Sequence, residues 1–241
     1  MIVTILLDRP HARNALDLAT LERVNAELDA ARNARLVVLT GAGDKIFCSG
    51  ADLSAVAGNP AARRDVARQY ALLLARIASF ERPIIARVNG HCLAGGMGLL
   101  LACDLAVSVD DATFSLPEAA VGLWPMMVGA FLIPTVGRRR ALELALTGRK
   151  LSAAEAVEWG MVNRSVPRAH LDGAVADLTA AILARGPAAI RAGRAAWNES
   201  LEPRLLALAD ALGEVMDHAE AVEGLTAFLQ KRPANWPEDP R

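Results

Sequence analysis

Residues 83–104 read PIIARVNGHCLAGGMGLLLACD, a strand, a turn and a helix in direct succession. The apolar run at 83–88 is typical of a buried strand, and an Asn-Gly pair ends it. Residues 95–102 predict a helix that begins at Gly95 and Gly96. The first N–H groups of a helix have no partner inside it, and glycine lets a ligand approach them closely. The stretch predicts a junction that a ligand can reach; a tight turn that serves packing alone is the alternative.

Strand and helix patterns alternate along the first half of the chain. Besides 83–88, strand-like runs occupy residues 2–7, 36–40 and 105–109. Helical periodicity covers residues 61–80, and an earlier helix starts at Asp17 or Thr20 and continues to about residue 31. This alternation predicts βαβ units with parallel pairing, and hence an α/β fold.

Beyond about residue 126 the pattern becomes helical. The predicted helices cover residues 137–147, 152–159, 168–184, 187–199 and 203–231. As one helix, the last of these would be about 40 Å long and could lie across a neighbouring subunit. The pattern changes near residues 185–202, so we divide the chain into a core, residues 1–190, and a helical C-terminal oligomerisation region, residues 191–241.

Composition excludes several classes of protein. The net charge of −1 disfavours non-specific binding of nucleic acid, which needs a basic excess. Cys48, Cys92 and Cys103 are odd in number and have apolar neighbours, which indicates free thiols in a reducing compartment. The sequence has no CxxC or Cys/His ligand set, so we expect no structural metal. The N-terminus lacks the features of a signal peptide, and apolar runs stop short of a membrane span. We expect a cytoplasmic protein.

A second glycine segment and one carboxylate complete a possible site. The sequence SGAD at residues 49–52 offers another backbone N–H donor, unless it is an ordinary turn. Glu118 lies in the mostly apolar stretch 114–127, where partial burial would raise its pKa into the range for proton transfer; a solvated loop carboxylate is the alternative. Two N–H donors and one carboxylate suit enolate chemistry on a thioester.

Other catalytic motifs are poorly matched. The pair Gly41 and Gly43 lacks both the third glycine of a dinucleotide-binding loop and the GK[ST] ending of a phosphate-binding loop. Ser49 and Ser115 have no evident base partner in the sequence, which disfavours a Ser-His-Asp enzyme.

The ordered set of motifs resembles the crotonase (enoyl-CoA hydratase/isomerase) superfamily over nearly the whole chain. The matching segments are LDRP at 7–10 with NAL at 14–16, FCSGADL at 47–53, NG at 89–90 through Gly96 with ACD at 102–104, LTG at 146–148 with AAEA at 153–156, Gly160 with VN at 162–163, and residues 220–232. Each segment alone is a weak signal, and their order makes the set specific.

The resemblance implies a ββα-spiral core, a helical C-terminal trimerisation region and a coenzyme A thioester as ligand. It implies that the Ala51 and Gly95 N–H groups form an oxyanion hole and that Glu118 is the acid–base residue. The remaining implied positions bind substrate. Ser49, Asp52 and Leu53 would contact the adenine end of coenzyme A. Gly96 lies in the second oxyanion segment, and Trp124 and Met126 would line the acyl pocket. For the last two, plain core packing is the alternative.

Two departures from the family pattern bear on the reaction. Family hydratases carry two glutamates; the second matches Glu118, but the first falls at Gly98, which has no side chain. Met126 stands where family dienoyl-CoA isomerases and aryl-CoA dehalogenases have an aspartate, which disfavours both activities.

From these features we expect an enzyme that shifts the double bond of an enoyl-CoA with one glutamate. Hydration or dehydration with an incomplete glutamate pair, another crotonase-type reaction and a non-catalytic acyl-CoA binder stay as alternatives. The expected assembly is a homotrimer or a dimer of trimers, with no nucleic-acid or membrane partner. No cofactor is expected beyond the coenzyme A of the substrate.

Overall fold

A computed structural model describes residues 1–54, 59–197 and 201–236. The strands in this part of the chain are β1 (Ile2–Leu7), β2 (Leu36–Gly41), β3 (Ile46–Cys48), β4 (Ile84–Val88), β5 (His91–Leu93), β6 (Leu105–Val109), β7 (Thr113–Ser115), β8 (Leu151–Ser152) and β9 (Arg164–Val166). The helices are α1 (Leu18–Ala30), α2 (Pro60–Ser79), α3 (Gly95–Ala102), α4 (Met126–Val136), α5 (Arg138–Thr147), α6 (Ala153–Glu158), α7 (Leu171–Leu183), α8 (Pro187–Trp197), α9 (Glu202–Met216) and α10 (Ala219–Leu229).

The strands form two sheets. The first has the order β1-β2-β4-β6-β9 and is parallel throughout, with Ile85 opposite both Val38 and Leu105. The second has the order β3-β5-β7-β8, and only β7 and β8 pair antiparallel. The predicted α/β class and parallel pairing are confirmed.

The chain winds in repeated units of two strands and a helix. Each of β2, β4 and β6 is followed by a short strand of the second sheet, β3, β5 or β7, before the next helix. The ββα-spiral core implied by the resemblance is therefore confirmed. The simple βαβ interpretation missed the second sheet, because strands of three residues are too short to show a period of two.

One hydrophobic core joins the two sheets and the helices around them. All six residues of β2 are buried, as expected for a parallel strand covered on both faces. Leu73, Leu74 and Ile77 bury one face of α2 almost completely. Full burial of one such side chain stabilises the fold by about 2 kcal/mol.

Side-chain caps fix where individual helices begin. Asp17 is the N-cap of α1, and its carboxylate accepts a hydrogen bond of 2.8 Å from the backbone N–H of Thr20. This settles the choice between Asp17 and Thr20 in favour of Asp17. Ser152 and Glu155 form a capping box at the start of α6.

Helix α4 was not predicted from the sequence. Its residues are apolar on all sides, so they show no amphipathic period. Gly129 and Pro134 also lower its helix propensity. Packing against neighbouring elements stabilises this helix instead, since Met127, Val128 and Leu132 are all buried.

The prediction of a single helix over residues 203–231 is wrong. The segment forms two helices, α9 and α10, with a break at Asp217 and His218. The backbone of His218 is extended, at φ −71° and ψ 148°. Helix α9 packs along α2, whereas α10 packs against the turn at Glu118–Val121. One straight helix cannot bury its apolar residues against both surfaces. The division at residues 190 and 191 and its oligomerisation role stay predictions.

Within the described ranges, no single helix is both long and apolar enough to cross a membrane. The pair Arg168–Leu183 and Pro187–Trp197 reaches the required length only in combination, with a bend of 100° at the break.

Candidate active site

The two glycine segments predicted from the sequence are in contact. Strands β3 and β5, which precede them, pair in parallel with Cys48 opposite Cys92. A Cβ atom added to Gly50 would lie 2.8 Å from the backbone N of Gly95 and 2.8 Å from the Cβ of Ala94. Glycine at position 50 therefore allows the two backbones to approach each other.

The N–H of Ala51 is available to a ligand. Gly50 accepts a hydrogen bond of 2.8 Å from Leu16, and Asp52 donates one of 3.0 Å back to Leu16. In a parallel bridge these bonds involve the residues on either side of Ala51, so the N–H of Ala51 points the other way. Among the described residues it has no backbone acceptor, and Ala51 is exposed.

The N–H of Gly95 is equally available, at the N-terminus of α3. Ala94, just before it, has φ 49° and ψ −127°, which an L-residue adopts at a cost of about 1–3 kcal/mol. Ala94 is held on both sides, because its N–H donates to Ser115 at 2.9 Å and its carbonyl accepts from Met97 at 2.9 Å. The backbone turns sharply here, and no acceptor for the Gly95 N–H occurs in the described part of the chain.

Glu118 begins a short 3₁₀ turn, Glu118–Val121, directly after Pro117. Its Oε2 atom is buried and has no hydrogen-bond partner within the described ranges. Burial raises the pKa of Glu118 to about 7, against a smaller lowering by the residue's own N–H. At neutral pH this carboxyl group is close to half ionised, and it can both accept and return a proton.

Two links connect Glu118 to the glycine segments. Ser115, three residues before Glu118, pairs with Leu93 and accepts the hydrogen bond from Ala94. Tyr70, on α2, lies against Gly95, because a Cβ at Gly95 would be 3.4 Å from the tyrosine Cζ and Oη. Burial raises the pKa of Tyr70 well above its usual value, and nearby charges, including that of Glu118, raise it further.

The predicted adenine-end segment is tied to the first loop of the chain. The Arg9 guanidinium contacts Asp52 at 2.9 Å and Asp17 at 3.2 Å, and donates a hydrogen bond of 2.9 Å to the carbonyl of Ala15. Asp52 also accepts a hydrogen bond of 2.6 Å from Ser54. Because the Asp52 side chain bonds to the protein, the backbone of the segment is the part that remains for a ligand.

The other predicted substrate-binding residues lie at three places. Ser49 and Leu53 are half-buried in the same segment as Asp52. Gly96 lies against β3, where an added Cβ would be 2.9 Å from the Cβ of Cys48. Trp124 and Met126 are half-buried at the start of α4 and pack against the core. Their acyl-pocket role stays a prediction.

Two buried asparagines, for which the sequence predicted no role, hold the loops together by hydrogen bonds. Buried Asn14 donates hydrogen bonds of 3.0 Å and 2.8 Å to the carbonyls of Ala42 and Ile46. Asn89 donates a hydrogen bond of 2.9 Å to the carbonyl of Gly43. Their side-chain amides provide hydrogen-bond partners for backbone carbonyls between the two sheets, just before the first glycine segment.

Tyr70 was not predicted as a site residue from the sequence. It is the only tyrosine of the chain, and it lies on the predicted helix at 61–80. Gly98 was the one sequence feature that could have indicated such a residue. It has no side chain, so another residue must fill the space beside it in a closely packed protein.

Among the described residues, no group of three or more His, Cys, Asp or Glu side chains could hold a metal ion.

Comparison with known proteins agrees with this fold and identifies the family. Residues 1–239 match the family model described as enoyl-CoA hydratase/isomerase. A crotonyl-CoA hydratase from Syntrophomonas wolfei is 34% identical, with 98% of this chain and 94% of the relative covered. A carnitinyl-CoA dehydratase from Escherichia coli K12 has the same identity and the same coverage. The crystal structure of an enoyl-CoA hydratase from Mycobacterium avium superposes with a TM-score of 0.87 at 34% identity, covering 98% of this chain and 94% of that one.

This chain belongs to the enoyl-CoA hydratase/isomerase family, within the crotonase superfamily.

Proposed function

We propose that this protein is a crotonase-type enzyme that shifts the double bond of an enoyl-CoA thioester. The Ala51 and Gly95 N–H groups bind the thioester oxygen, and Glu118 moves the proton. The observation that carries the proposal is the buried, unpartnered Oε2 of Glu118, whose pKa is raised by burial to about 7. An acid–base group is most effective when its pKa lies near the working pH.

The proposed reaction needs only these groups. The Glu118 carboxylate removes a proton from C2 of a 3-enoyl thioester, and the electron pair moves to the thioester oxygen to form a dienolate. The two N–H groups stabilise the negative charge on that oxygen. The protonated Glu118 then returns the proton to C4, the double bond forms between C2 and C3, and the carboxylate is restored.

Gly98 favours isomerisation over hydration. Syn-hydration uses two carboxylates to hold and split a water molecule, and the position of the first carboxylate has no side chain here. A proton shift between C2 and C4 requires one base, which Glu118 supplies.

Hydration or dehydration of an acyl-CoA is the second candidate. The names of two relatives favour it, the crotonyl-CoA hydratase and the carnitinyl-CoA dehydratase, each 34% identical to this chain. In this reaction Glu118 alone would exchange a proton with C2.

Two substrates separate these candidates. The purified protein is incubated with 3-hexenoyl-CoA, and conversion to the conjugated 2-enoyl product is followed by absorbance. In parallel, crotonyl-CoA is supplied and loss of its conjugated double bond is measured. Isomerisation that is at least ten times faster than hydration is the expected result; rapid hydration of crotonyl-CoA would overturn the interpretation of Gly98.

A non-catalytic acyl-CoA binder is the remaining alternative, and Glu118→Gln tests it. Loss of turnover with retained acyl-CoA binding supports the enzyme, because the amide keeps the shape of the side chain but cannot accept the proton. If the unsubstituted protein binds the thioesters but turns over none of them, the binder is correct.

We propose a homotrimer or a dimer of trimers for the assembly. Val222, Phe228 and Leu229 are exposed on α10 in the single chain, which supports an interface there. Light scattering after size-exclusion chromatography measures the mass, and a monomer at micromolar concentration would refute the proposal. We also propose a cytoplasmic location, which fractionation of the source cells tests.

A further inference from the structure

The space beside Gly98 is filled by a side chain from another helix. Gly98 lies on α3, three residues after Gly95. A Cβ at Gly98 would overlap the Oη of Tyr70 and would also lie 3.2 Å from its Cζ and 3.3 Å from the Cδ1 of Leu74. Tyr70 therefore excludes any side chain at this position as long as it keeps its rotamer.

The same tyrosine holds the first residue of α3. Its hydroxyl donates a hydrogen bond to the carbonyl of Gly95, and a Cβ added to that glycine would lie 3.4 Å from the tyrosine Cζ. Tyr70 is only 7% exposed, so packing fixes its ring as well. The residue whose N–H is the proposed oxyanion donor is thus held by α2 as well as by its own helix.

Tyr70 keeps its proton throughout the working range of the enzyme. Burial raises the pKa of its hydroxyl well above the usual value, and electrostatic interaction with nearby Glu118 raises it further. At neutral pH the hydroxyl is therefore protonated and donates a hydrogen bond to the Gly95 carbonyl.

We propose that Tyr70 is a positioning and specificity-determining residue of this site. Its hydroxyl holds residue Gly95 through the carbonyl and so helps to orient the N–H of that residue for enolate stabilisation. Its ring fills the volume in which a second carboxylate and its water would lie. The pair Tyr70 and Gly98 then biases the reaction toward proton transfer and against addition of water. This inference rests on the proposed function, because it assigns the oxyanion role to Gly95.

Tyr70→Phe tests the hydrogen bond while it keeps the ring. Loss of one neutral hydrogen bond that positions a donor is expected to lower kcat by about 10-fold. KM is expected to change by less than about twofold, since ground-state binding is retained. Thr179→Val is the matched control, because it removes a buried hydroxyl on α7, a helix that packs against β4 and β6.

A spectroscopic measurement separates positioning from a general structural effect. Bound acetoacetyl-CoA ionises to an enolate that absorbs in the near ultraviolet, and its fraction reports on the oxyanion hole. We expect a smaller enolate fraction in Tyr70→Phe and an unchanged one in Thr179→Val. An unchanged enolate fraction and an unchanged kcat in Tyr70→Phe would overturn the positioning role. The measurement needs no turnover, so it tests Tyr70 even if the proposed reaction is wrong.

The volume-filling role is tested by enlarging the side chain at position 98, with and without a smaller side chain at position 70. Gly98→Glu alone is expected to lose activity, because its side chain overlaps Tyr70. The double variant Tyr70→Ala, Gly98→Glu makes room for the new carboxylate, and its ratio of crotonyl-CoA hydration to 3-hexenoyl-CoA isomerisation should rise at least tenfold over that of Tyr70→Ala. Full activity of Gly98→Glu, or an unchanged ratio in a folded double variant, would contradict the role.

Discussion

At the scale of single residues, the proposed chemistry depends on Glu118. Its carboxyl group has lost most of its hydration without gaining a partner for Oε2, so the protonated form is favoured and the pKa rises to about 7. The same burial that makes Glu118 a suitable acid–base group must cost folding free energy once the group ionises.

The pH dependence of activity follows from this pKa. Isomerisation starts from the carboxylate, so kcat/KM for 3-hexenoyl-CoA should rise with pH and level off above an apparent pKa of about 7. Hydration of crotonyl-CoA would start from the protonated group, which donates to C2, and its kcat/KM should fall over the same range. Initial rates between pH 5 and pH 9 distinguish the two; a flat profile would exclude Glu118 as the titrating group.

Glu118→Gln should also stabilise the protein in a pH-dependent way. The folded pKa lies above the unfolded one, so the stability of the unsubstituted protein is highest at low pH and falls as pH rises from about 4.5 to about 7. Relative to it, Gln at position 118 should gain about 3 kcal/mol in unfolding free energy at pH 8 and less than about 1 kcal/mol at pH 5. Urea unfolding at both pH values measures this. Equal differences at the two pH values would show that Glu118 is not desolvated.

At the scale of elements, the first turn of α3 is where packing and chemistry coincide. Gly96 lies so close to β3 that a Cβ would overlap the carbonyl oxygen of Cys48 and lie 2.9 Å from its Cβ. Ala94 holds its strained backbone one residue before Gly95. The helix is thus held tightly against the sheet at the residues that orient the proposed oxyanion donor.

Gly96→Ala should therefore damage both stability and activity. The overlap is with backbone atoms and cannot be relieved by a rotamer change, so we expect a loss of about 2 kcal/mol and a lower kcat. Gly173→Ala is the matched control, because an added Cβ on α7 meets no atom within 4 Å. It should stabilise the protein by about 0.5 kcal/mol, since alanine has the higher helix propensity. Thermal unfolding and rate measurements on both variants check this, and a harmless Gly96→Ala would contradict the tight packing.

At the scale of the whole molecule, the C-terminal helices close onto the residues of the site. Helix α9 lies along α2, the helix that carries Tyr70, and Arg68 and Asp210 form an ion pair of 2.6 Å between them. Helix α10 packs on the turn that Glu118 begins, where a Cβ at Gly224 would overlap the backbone of Val121. The end of the chain thus supports both elements of the proposed catalytic machinery.

Gly224→Ala should affect Glu118 from a distance. Pushing α10 away from the turn would let water reach the carboxyl group, so the apparent pKa of kcat/KM should fall from about 7 toward its ordinary value of 4.5. Gly193→Ala on α8 is the control, because its added Cβ meets no atom within 4 Å. The pH–rate profiles of both variants are compared with that of the unsubstituted protein. An unshifted profile in a folded Gly224→Ala protein would show that α10 does not shield Glu118.

The sequence by itself determined the α/β class, the long parallel strands and the family, because long apolar runs and ordered glycine motifs are local signals. It also predicted Glu118 as the acid–base residue and showed that Gly98 stands where family hydratases have a glutamate. Only the tertiary structure decided the second sheet, the break between α9 and α10 and the filling of the space beside Gly98 by Tyr70. These features depend on which surfaces meet, and residues as far apart in the chain as Tyr70 and Gly98 show no common pattern until the fold brings them together.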